Sequence, residues 1–567
     1  MRIVTSMLAT LLLGLSASHS STVMADTVLY HNFTGYTLSG EPGNNAELKQ
    51  FEALLVIDGK VSAIGSVASI QQQVPREIDR KVDLAGKTLL PGIIDAHGHM
   101  LGLGENLMQA DVRDATSEAD AVQRVADFYR DQTVEWAIGR GWNQENWDVR
   151  AFPSRQSLDE FFADQPVWLT RVDGHAGWAN SKALELAGIT AETVSPEGGE
   201  IIRDDSGEPT GVLIDNAMAL VESKLPAKDA SYIEKALKTA FAHLVTEGIT
   251  GVHDAGVDAA NLEVYQQLAA AGEMPVRVYA MLSATEPKLP ELLANGPITT
   301  ADDSLTVRSV KIYTDGALGS RGAALIEPYS DAAHTRGLLV TQPEVLEQLF
   351  NLVIPHGFQI NIHAIGDRAN RIALDKFASA YETIGGRNLR HRVEHAQVVH
   401  PDDIPRFKEL DIIASMQPTH ATSDKNMAED RLGKERMRGA YAWQTFLAQD
   451  TIVAAGSDFP VELSNPFFGV HAAVTRQDRD NAPQGGWYAH EAMTLEQALR
   501  TFTLDAAYAS GQEQQLGSIE PGKWADFIVL DQDPFAVSSD KLWRANVLAT
   551  YVAGEQVYEQ TTNETQE

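Results

Sequence analysis

Two histidines one residue apart, His97 and His99, follow an apolar run in the stretch LLPGIIDAHGHM (89–100). Side chains two residues apart in a strand lie on the same face, so Asp95, His97 and His99 are expected to point the same way. Neutral imidazole and carboxylate groups are ligands that suit Zn²⁺ and similar divalent cations. The stretch therefore predicts part of a metal site, although two such histidines alone are also typical of a polar loop.

Four other apolar segments end in residues that could bind a metal. These residues are Lys311 in SVKIYTDG, His363 in NIHAIGD, His395 in RVEHAQ and Asp458 in GSDFP. Singly, each has an ordinary alternative role, because a buried histidine can be hydrogen-bonded to its neighbours and an aspartate can cap a helix. Together with the two histidines above, they predict one site for Zn²⁺ or another divalent cation.

Lys311 is the least usual member of this set. An ammonium group would be repelled by metal cations, but burial lowers the pKa of a lysine and leaves a neutral amine. A neutral amine can take up CO₂ and become an N6-carboxylated lysine, an anion whose two oxygens can bridge two cations. The alternative is an ordinary salt bridge with Asp315 or another acid.

Such ligands need strands that end at a common point. Eight segments are predicted as strands, at 88–97, 248–256, 275–282, 305–315, 358–367, 389–397, 411–419 and 452–460. Helical patterns separate most of them, which implies an α/β fold with a parallel sheet. Eight such strands close a (β/α)₈ or TIM barrel, whose active sites lie at the carboxyl ends of the strands.

Both ends of the chain have short alternating segments instead of this pattern. In residues 51–66, Asp58-Gly59 lies between two apolar runs, which is a strong hairpin signal. We expect the two ends to pair as one small β-sandwich. The expected domains are a sandwich of residues 26–87 and 513–567, a barrel of residues 88–512, and an inserted subdomain at about 105–245 between barrel strands one and two.

Residues 1–25 have the features of a secretory signal peptide. Arg2 supplies a positive charge, MLATLLLGL an apolar stretch, and Val23-Met24-Ala25 a small-residue cleavage site. The alternative is a membrane anchor, but the apolar stretch is shorter than the roughly 20 residues that span a bilayer. We therefore expect a periplasmic or secreted protein without membrane insertion.

Composition excludes several kinds of function. The chain has no cysteine, so disulfides, thiol nucleophiles and thiolate metal sites are impossible. Its 78 acidic and 45 basic residues give a formal charge of −33, which repels nucleic acid and anionic membranes. The expected partner is a small molecule; the sequence leaves open whether the protein is a homodimer.

The motifs together resemble the amidohydrolase superfamily. They are PGxxDxHxH (Pro91 to His99), VKIYTDGALGSR, HAIGDRA, RVEHAQ, GSDFPV and the terminal GSIEPGKWADFIVLD. More narrowly, they resemble its amidohydrolase-3 branch, which includes N-substituted formamide deformylases. The resemblance implies a metal-dependent hydrolase with a β-sandwich beside a distorted TIM barrel. It implies metal roles for His97, His99, Lys311, His363, His395 and Asp458.

With these ligands, the expected reaction is hydrolysis of a non-peptide carbon–nitrogen bond in an amide, N-acyl or N-formyl compound. Metal-bound hydroxide would attack the substrate, with two metals per chain holding the hydroxide and polarising the carbonyl. Asp458 would accept the proton of the water and pass it to the leaving amine.

Other polar residues are candidates for binding the substrate. Trp142 and Asn143, in the stretch GRGWNQENW, could cover the barrel mouth or belong to the core of the insert. Further candidates, which could orient a substrate or cap a loop, are His175, Arg321, Gln417 and His420.

Two other functions remain open. A deaminase that uses one metal and acts on a cyclic amidine would not need a bridging lysine. A non-catalytic, exported metal-binding protein would need the ligands but not Asp458 as a proton acceptor.

Overall fold

A computed structural model describes residues 26–73, 77–144, 147–171, 174, 176–196 and 199–561. The expected signal peptide and His175 lie outside these described residues. Three sheets organise the described chain: a parallel barrel, a sheet built from both chain ends, and a sheet within the insert. None of the described helices is both long and apolar enough to cross a membrane.

The barrel has eight parallel strands with helices around them, which confirms the predicted fold class. In chain order the barrel strands are β5 (Ile93–Gly98), β12 (Ile249–Val257), β13 (Arg277–Ser283), β15 (Leu305–Tyr313), β16 (Gln359–Ala364), β17 (Arg392–His395), β18 (Ile413–Met416) and β19 (Val453–Ala455). Each pairs with the next in parallel register. A two-residue strand, β14 (Ile298–Thr299), pairs with β15.

Two backbone hydrogen bonds join the first and last barrel strands at their carboxyl ends. Asp458 N–H donates to His97 O over 2.7 Å, and His99 N–H donates to Phe459 O over 2.8 Å. Gly456 makes this approach feasible, because a Cβ there would lie 2.5 Å from the backbone nitrogen of His97. The barrel therefore closes at the point where the predicted ligands lie.

The two chain ends pair with each other, as the sequence predicted, and their seven-stranded sheet is the sandwich-like part of the fold. Its order is β22-β21-β20-β4-β1-β2-β3. The strands are β1 (Thr27–Ser39), β2 (Glu47–Ile57), β3 (Lys60–Gly65), β4 (Arg80–Pro91), β20 (Phe527–Leu530), β21 (Val547–Val552) and β22 (Glu555–Glu559). Asp58 and Gly59, with φ of 53° and 74°, form the hairpin turn between β2 and β3. The rings of Tyr30, Phe527 and Tyr551 pack together in its core.

The predicted first barrel strand is divided between two sheets. Strand β4 belongs to the terminal sheet and β5 to the barrel, and Gly92 lies between them. A Cβ at Gly92 would lie 2.2 Å from Oγ1 of Thr250, so only glycine fits where the chain passes from one sheet to the other. The predicted segment 88–97 is therefore extended throughout but spans a domain boundary.

The insert has its own six-stranded sheet in the order β10-β11-β9-β8-β7-β6. Its strands are β6 (Ala110–Asp111), β7 (Ala137–Trp142), β8 (Val167–Arg171), β9 (Ala176–Ala179), β10 (Gly199–Arg203) and β11 (Pro209–Asp215). Helix α7 (Ala230–Thr246) lies within the range expected for the insert, but its Ile233, Leu237 and Phe241 are buried in the barrel core. The separate sheet of the insert thus ends before α7 begins.

The other helices pack around these sheets or cover the barrel mouth. They are α1 (Val67–Gln73), α2 (Met100–Leu107), α3 (Glu118–Tyr129), α4 (Arg155–Asp159), α5 (Ser181–Ala187), α6 (Ala219–Glu222), α8 (Ala259–Ala271), α9 (Leu289–Ala294), α10 (Pro343–Val353), α11 (Asp367–Thr383), α12 (Ile404–Glu409), α13 (Pro418–Asp424), α14 (Ala428–Leu432), α15 (Trp443–Ala448), α16 (Pro466–Thr475), α17 (Leu495–Thr501) and α18 (Leu504–Ser510).

Candidate metal centre

The predicted ligands gather at the carboxyl end of the barrel. Asp458 follows the eighth strand, and its Oδ1 lies 3.1 Å from Nε2 of His99 and 3.6 Å from Nε2 of His97. Nζ of Lys311, on the fourth strand, lies 3.0 Å from Nε2 of His97. These four residues come from three strands, so the barrel brings together groups that are more than 350 positions apart in sequence.

The histidines of the fifth and sixth strands complete the cluster. The ring centroids of His363 and His395 are 4.6 Å apart, and those of His97 and His395 are 4.8 Å apart. His97 and Lys311 are almost fully buried, and His99 and His363 are partly exposed. The cluster therefore has a closed side toward the barrel interior and an open side toward the mouth.

In three of these histidines a neighbour accepts a hydrogen bond from Nδ1 and leaves Nε2 directed at the cluster. The pairs are His97 with Oε2 of Glu394 at 2.5 Å, His99 with the carbonyl of Ala255 at 2.8 Å, and His395 with Oε1 of Gln417 at 2.8 Å. Such partners fix the tautomer and ring orientation of histidines that bind metals. The ring orientations therefore fit a metal site.

His363 is oriented in the opposite sense. Its Nε2 lies 3.4 Å from Oδ1 of Asp315, beyond good hydrogen-bond geometry. Asp315 is fixed, because its carboxylate accepts backbone N–H groups from Ala324, Ile365 and Gly366. This leaves Nδ1 of His363 as the nitrogen that could bind a cation. Asp315 was the alternative salt-bridge partner predicted for Lys311, but these contacts hold it at His363 and the following loop.

Two candidate ligands of this cluster have backbone conformations that residues other than glycine seldom adopt. His395 has a φ of 74° and Asp458 a φ of 64°, and Ala396 is also left-handed at 43°. In regular strand geometry Glu394 and His395 would point to opposite sides. The left-handed turn at His395 instead lets both side chains contact His97. Backbone strain of this kind is concentrated at functional sites.

Burial decides the charge of the nitrogen groups. Burial, followed by the nearby Lys311, lowers the pKa of His97 to about 4, so its imidazole is neutral at pH 7 and able to bind a cation. Burial also lowers the pKa of Lys311 to about 8. A substantial fraction of this lysine is therefore a neutral amine slightly above pH 7, as carbamate formation requires.

The pKa values of the two buried carboxyl groups, Asp458 and Asp95, are shifted in opposite directions. Burial opposes ionisation of Asp458, but the neighbouring His99, His97 and His395 hold the pKa of its carboxyl group well below the usual range. Burial raises the pKa of Asp95 to about 7. Asp95 accepts hydrogen bonds from Ser457 N–H and Oγ–H, so it ties the first strand to the eighth, while Asp458 faces the cluster as an anion.

The donor set fits a divalent cation. Two triads of ligand atoms lie within 4.8 Å of one another in the described chain: His97, His99 and Asp458, and His395, His420 and Asp458. Ligands at 2.0–2.2 Å from a tetrahedral zinc are about 3.3–3.6 Å apart, close to the separations here. Within the second triad, Nε2 of His420 is buried without a hydrogen-bond partner among the described residues. A cation would satisfy such an atom.

Two of the predicted substrate-binding residues contact this cluster. Gln417 holds His395, as described above. His420 lies in the first turn of helix α13, beyond the seventh strand. Its Nε2 lies 3.5 Å from Oδ2 of Asp458, whereas His99 approaches Oδ1 of the same carboxylate. The His420 ring stacks on His395 at 5.9 Å. The structure therefore places His420 at the edge of the cluster, beside the one carboxylate oxygen that does not face His97.

The other predicted substrate-binding residues lie in different surroundings. Trp142 is fully buried in the core of the insert and donates from Nε1 to the carbonyl of Leu169, which favours the core role over the pocket role. Asn143 accepts a hydrogen bond from Arg171. Arg321 pairs with Asp331 in the loop after the fourth strand.

Glu394 and Asp315 are the site residues that motif reasoning did not select. Both lie within motifs quoted above, Glu394 directly before His395 in RVEHAQ and Asp315 four residues after Lys311 in VKIYTDGALGSR. A buried acid within an apolar strand signals a partnered charge. That signal could have identified Glu394, but its partner His97 is known only from the fold.

Comparisons with known proteins agree with this geometry. A family model described as "Amidohydrolase family" matches residues 80–558. The Arabidopsis thaliana protein LONG AFTER FAR-RED 3 is 34% identical over 531 residues, which cover 91% of this chain and 90% of that protein. N-substituted formamide deformylase of Arthrobacter pascens is 29% identical over 529 residues, covering 90% and 95% respectively.

A solved structure has the same fold over nearly its whole length. The crystal structure of an uncharacterized metal-dependent hydrolase from Pyrococcus horikoshii OT3 matches with a TM-score of 0.74 and 28% sequence identity. The match covers 90% of this chain and 99% of that one. It therefore includes the terminal sheet and insert as well as the barrel.

Proposed function

This chain belongs to the amidohydrolase family, and from that premise we propose that it hydrolyses a non-peptide carbon–nitrogen bond in a small amide, N-acyl or N-formyl compound. The observation that carries the proposal is the convergence of three imidazoles around the anionic Asp458, each with one nitrogen fixed by a neighbour: His97, His99 and His395. The relative named N-substituted formamide deformylase supports the choice of bond.

We propose that the cluster holds two divalent cations per chain, with zinc as the first candidate. His97, His99 and Asp458 would hold one cation, and His363 and His395 the other. Lys311, carboxylated on its side-chain nitrogen, would bridge them. A bound cation supplies Lewis-acid activation of a water molecule and of the substrate carbonyl.

Asp458 is the residue suited to move the proton of the attacking water. Its low pKa keeps it ionised at neutral pH, and therefore able to accept that proton. It then returns the proton to the nitrogen of the breaking bond, so that the amide and water give a carboxylic acid and an amine. His420, 3.5 Å from Oδ2 of Asp458, is placed to contact the leaving group.

The proposal is tested by assaying the purified mature protein after loading it with Zn²⁺, Co²⁺ or Mn²⁺. The substrates are parallel sets of N-formyl, N-acetyl and N-aminoacyl amines, with amine release as the readout. The matched variants are His97→Asn in the cluster and His490→Asn on the surface. We expect amine release that is lost in the first variant and unchanged in the second. Metal-loaded protein that binds two cations but releases amine from none of these sets would contradict the hydrolase function.

A further inference from the structure

Two opposite charges lie beneath the cluster, inside the barrel. Arg392 and Glu394 both belong to β17 and both are fully buried. Nε of Arg392 donates to Oε1 of Glu394 over 2.7 Å. Removing two charges from water is unfavourable, and apolar replacements of such pairs are often as stable. Fold stability alone therefore gives no reason for this pair.

The Arg392 guanidinium is held in place by hydrogen bonds to residues on three other strands. Its NH2 donates to the carbonyl of Ala96 over 2.7 Å and to Oγ of Ser415 over 3.1 Å, and its NH1 donates to Nδ1 of His253 over 2.8 Å. These partners lie on β5, β18 and β12. Because the donors diverge from one rigid plane, the guanidinium has one orientation, and that orientation fixes Oε1 of Glu394.

The second oxygen of Glu394 faces the cluster. Oε2 lies 2.5 Å from Nδ1 of His97, so the imidazole donates to the carboxylate and its Nε2 faces Lys311 and Asp458. The nearby Arg392 and His97 outweigh the effect of burial and hold the pKa of Glu394 well below its usual range. Arg392, Glu394 and His97 thus form a continuous chain of contacts from the barrel interior to a ligand nitrogen.

We propose that Arg392 and Glu394 are positioning residues that set the affinity of the cluster for its cation by fixing His97. Glu394 acts directly on the ring, and Arg392 acts through Glu394 without touching a ligand atom. Loss of such an outer partner typically lowers metal affinity about 10–100-fold. The inference rests on the proposed metal-dependent function, which it extends to two residues that would not themselves bind metal or substrate.

The experiment measures cation affinity directly, by competition of the full mature protein with a chromophoric chelator for Zn²⁺. The variants are Glu394→Leu, Glu394→Gln and Arg392→Met. The matched control is Arg390→Met, because Arg390 precedes the same strand and is ion-paired with Glu513, away from the cluster. The absorption spectrum of Co²⁺-loaded protein, which reports ligand number and geometry, is the second readout.

We expect Glu394→Leu and Arg392→Met to lower affinity about 10–100-fold and to change the Co²⁺ spectrum. Glu394→Gln keeps an oxygen that can accept from Nδ1 but loses the charge, so a several-fold loss is expected. Arg390→Met should lose thermal stability and keep wild-type affinity and spectrum.

Wild-type affinity and spectrum in Glu394→Leu and Arg392→Met would show that the pair only packs the barrel. If those variants do not fold, the isosteric Glu394→Gln decides, and wild-type values in it overturn the proposal. A wild-type protein that binds no divalent cation would instead contradict the proposed function. The two failures are therefore distinguishable.

Discussion

The backbone N–H of Asp458 donates to the carbonyl oxygen of His97 over 2.7 Å, while the side chains of the same two residues approach within 3.6 Å. One pair of residues thus closes the barrel with its backbone and builds the candidate centre with its side chains. A change that moves the first and eighth strands apart would also move the ligands apart. The stability of the contact between the first and eighth strands and the occupancy of the metal site are therefore expected to change together.

Replacing Asp458 with asparagine should abolish turnover with little effect on folding. The amide keeps the size of the side chain but is neither an anionic ligand nor a proton acceptor. We expect kcat to fall about 10²–10⁴-fold, the range for loss of a positioned acid–base group. Asp480→Asn, at an exposed loop position, serves as the control in the same amine-release assay. An Asp458→Asn variant with more than a tenth of wild-type kcat would exclude the proton-transfer role.

Lys311→Ala tests the carbamate bridge. If the carboxylated lysine joins two cations, the variant should bind less metal and lose hydrolysis. High concentrations of acetate or propionate should then restore part of the activity, because these acids offer two oxygens in the vacated space. Metal per chain and turnover are measured with and without added acid. Two metals per chain and near-normal turnover in the variant would show that Lys311 does not bridge, and lowered stability alone would indicate a structural role.

His391 should make the fold sensitive to acid. Burial lowers its pKa to about 3, and its Nδ1 accepts a hydrogen bond from Ile360 N–H. An imidazole in an unfolded chain titrates near pH 6.5. The stability that depends on neutral His391 is therefore complete above pH 6.5 and declines as the pH falls from 6.5 toward 3, by at most about 1.4 kcal/mol per pH unit.

His391→Phe removes this titration while keeping the stack on Phe377. Urea unfolding of both proteins at pH 7.5, 6.0 and 5.0 measures the effect. The variant should be less stable at pH 7.5, because Ile360 N–H loses its acceptor, and the difference should shrink as the pH falls. A difference in free energy of unfolding that stays constant over this range would show that His391 is not responsible.

Gly456→Ala should weaken both the contact between the first and eighth barrel strands and the binding of metal. Its Cβ would lie 2.5 Å from the His97 nitrogen and 2.6 Å from Oδ1 of Asp95, so the two strands must separate. We expect a loss of about 1–3 kcal/mol, typical of overpacking, together with lower metal content. Gly319→Ala is the control, because its nearest neighbour would be 3.5 Å away. Thermal unfolding and metal analysis of both variants provide the test, and equal behaviour of the two would refute it.

Export can be tested independently of activity. We expect the mature protein to begin near Asp26 and to occur in the periplasmic or secreted fraction of its own cells. N-terminal sequencing of protein from each fraction gives the answer. A cytoplasmic pool that retains Met1 would be inconsistent with residues 1–25 as a signal peptide.

The sequence predicted the barrel and the meeting of the candidate ligands at one end of it, because both depend on local pattern. Alternating strands and helices specify a parallel barrel, and the barrel itself dictates that strand ends such as His97, His363 and Asp458 meet. The relation between Glu394 and His97 was not predictable in this way. The contact joins residues 297 positions apart on the first and sixth barrel strands, so the partner of Glu394 is known only once the barrel has formed. The left-handed conformation that turns His395 toward the same cluster likewise has no signal in residue type.

In the insert, the role of a residue could not be predicted from sequence for a different reason. Tryptophan is large, apolar and equipped with a polar N–H, so Trp142 was equally compatible with a binding surface and a core. Its complete burial, which depends on contacts with Trp147 and Trp178, favours the core. Such packing between distant parts of a subdomain is not encoded in a short stretch.

The terminal sheet has a consequence for biosynthesis. Strand β4 leads directly into the barrel, but its outer neighbour β20 begins at Phe527, and the Tyr30 hydroxyl donates to the carbonyl of Gly554. Almost the whole chain therefore has to be synthesised before the terminal sheet can acquire its last strands. Until then β4 keeps an unpaired edge, the kind of surface that recruits other strands into aggregates. Chains interrupted before Phe527 should accordingly depend on chaperones or proteases for their fate, whatever the state of the barrel.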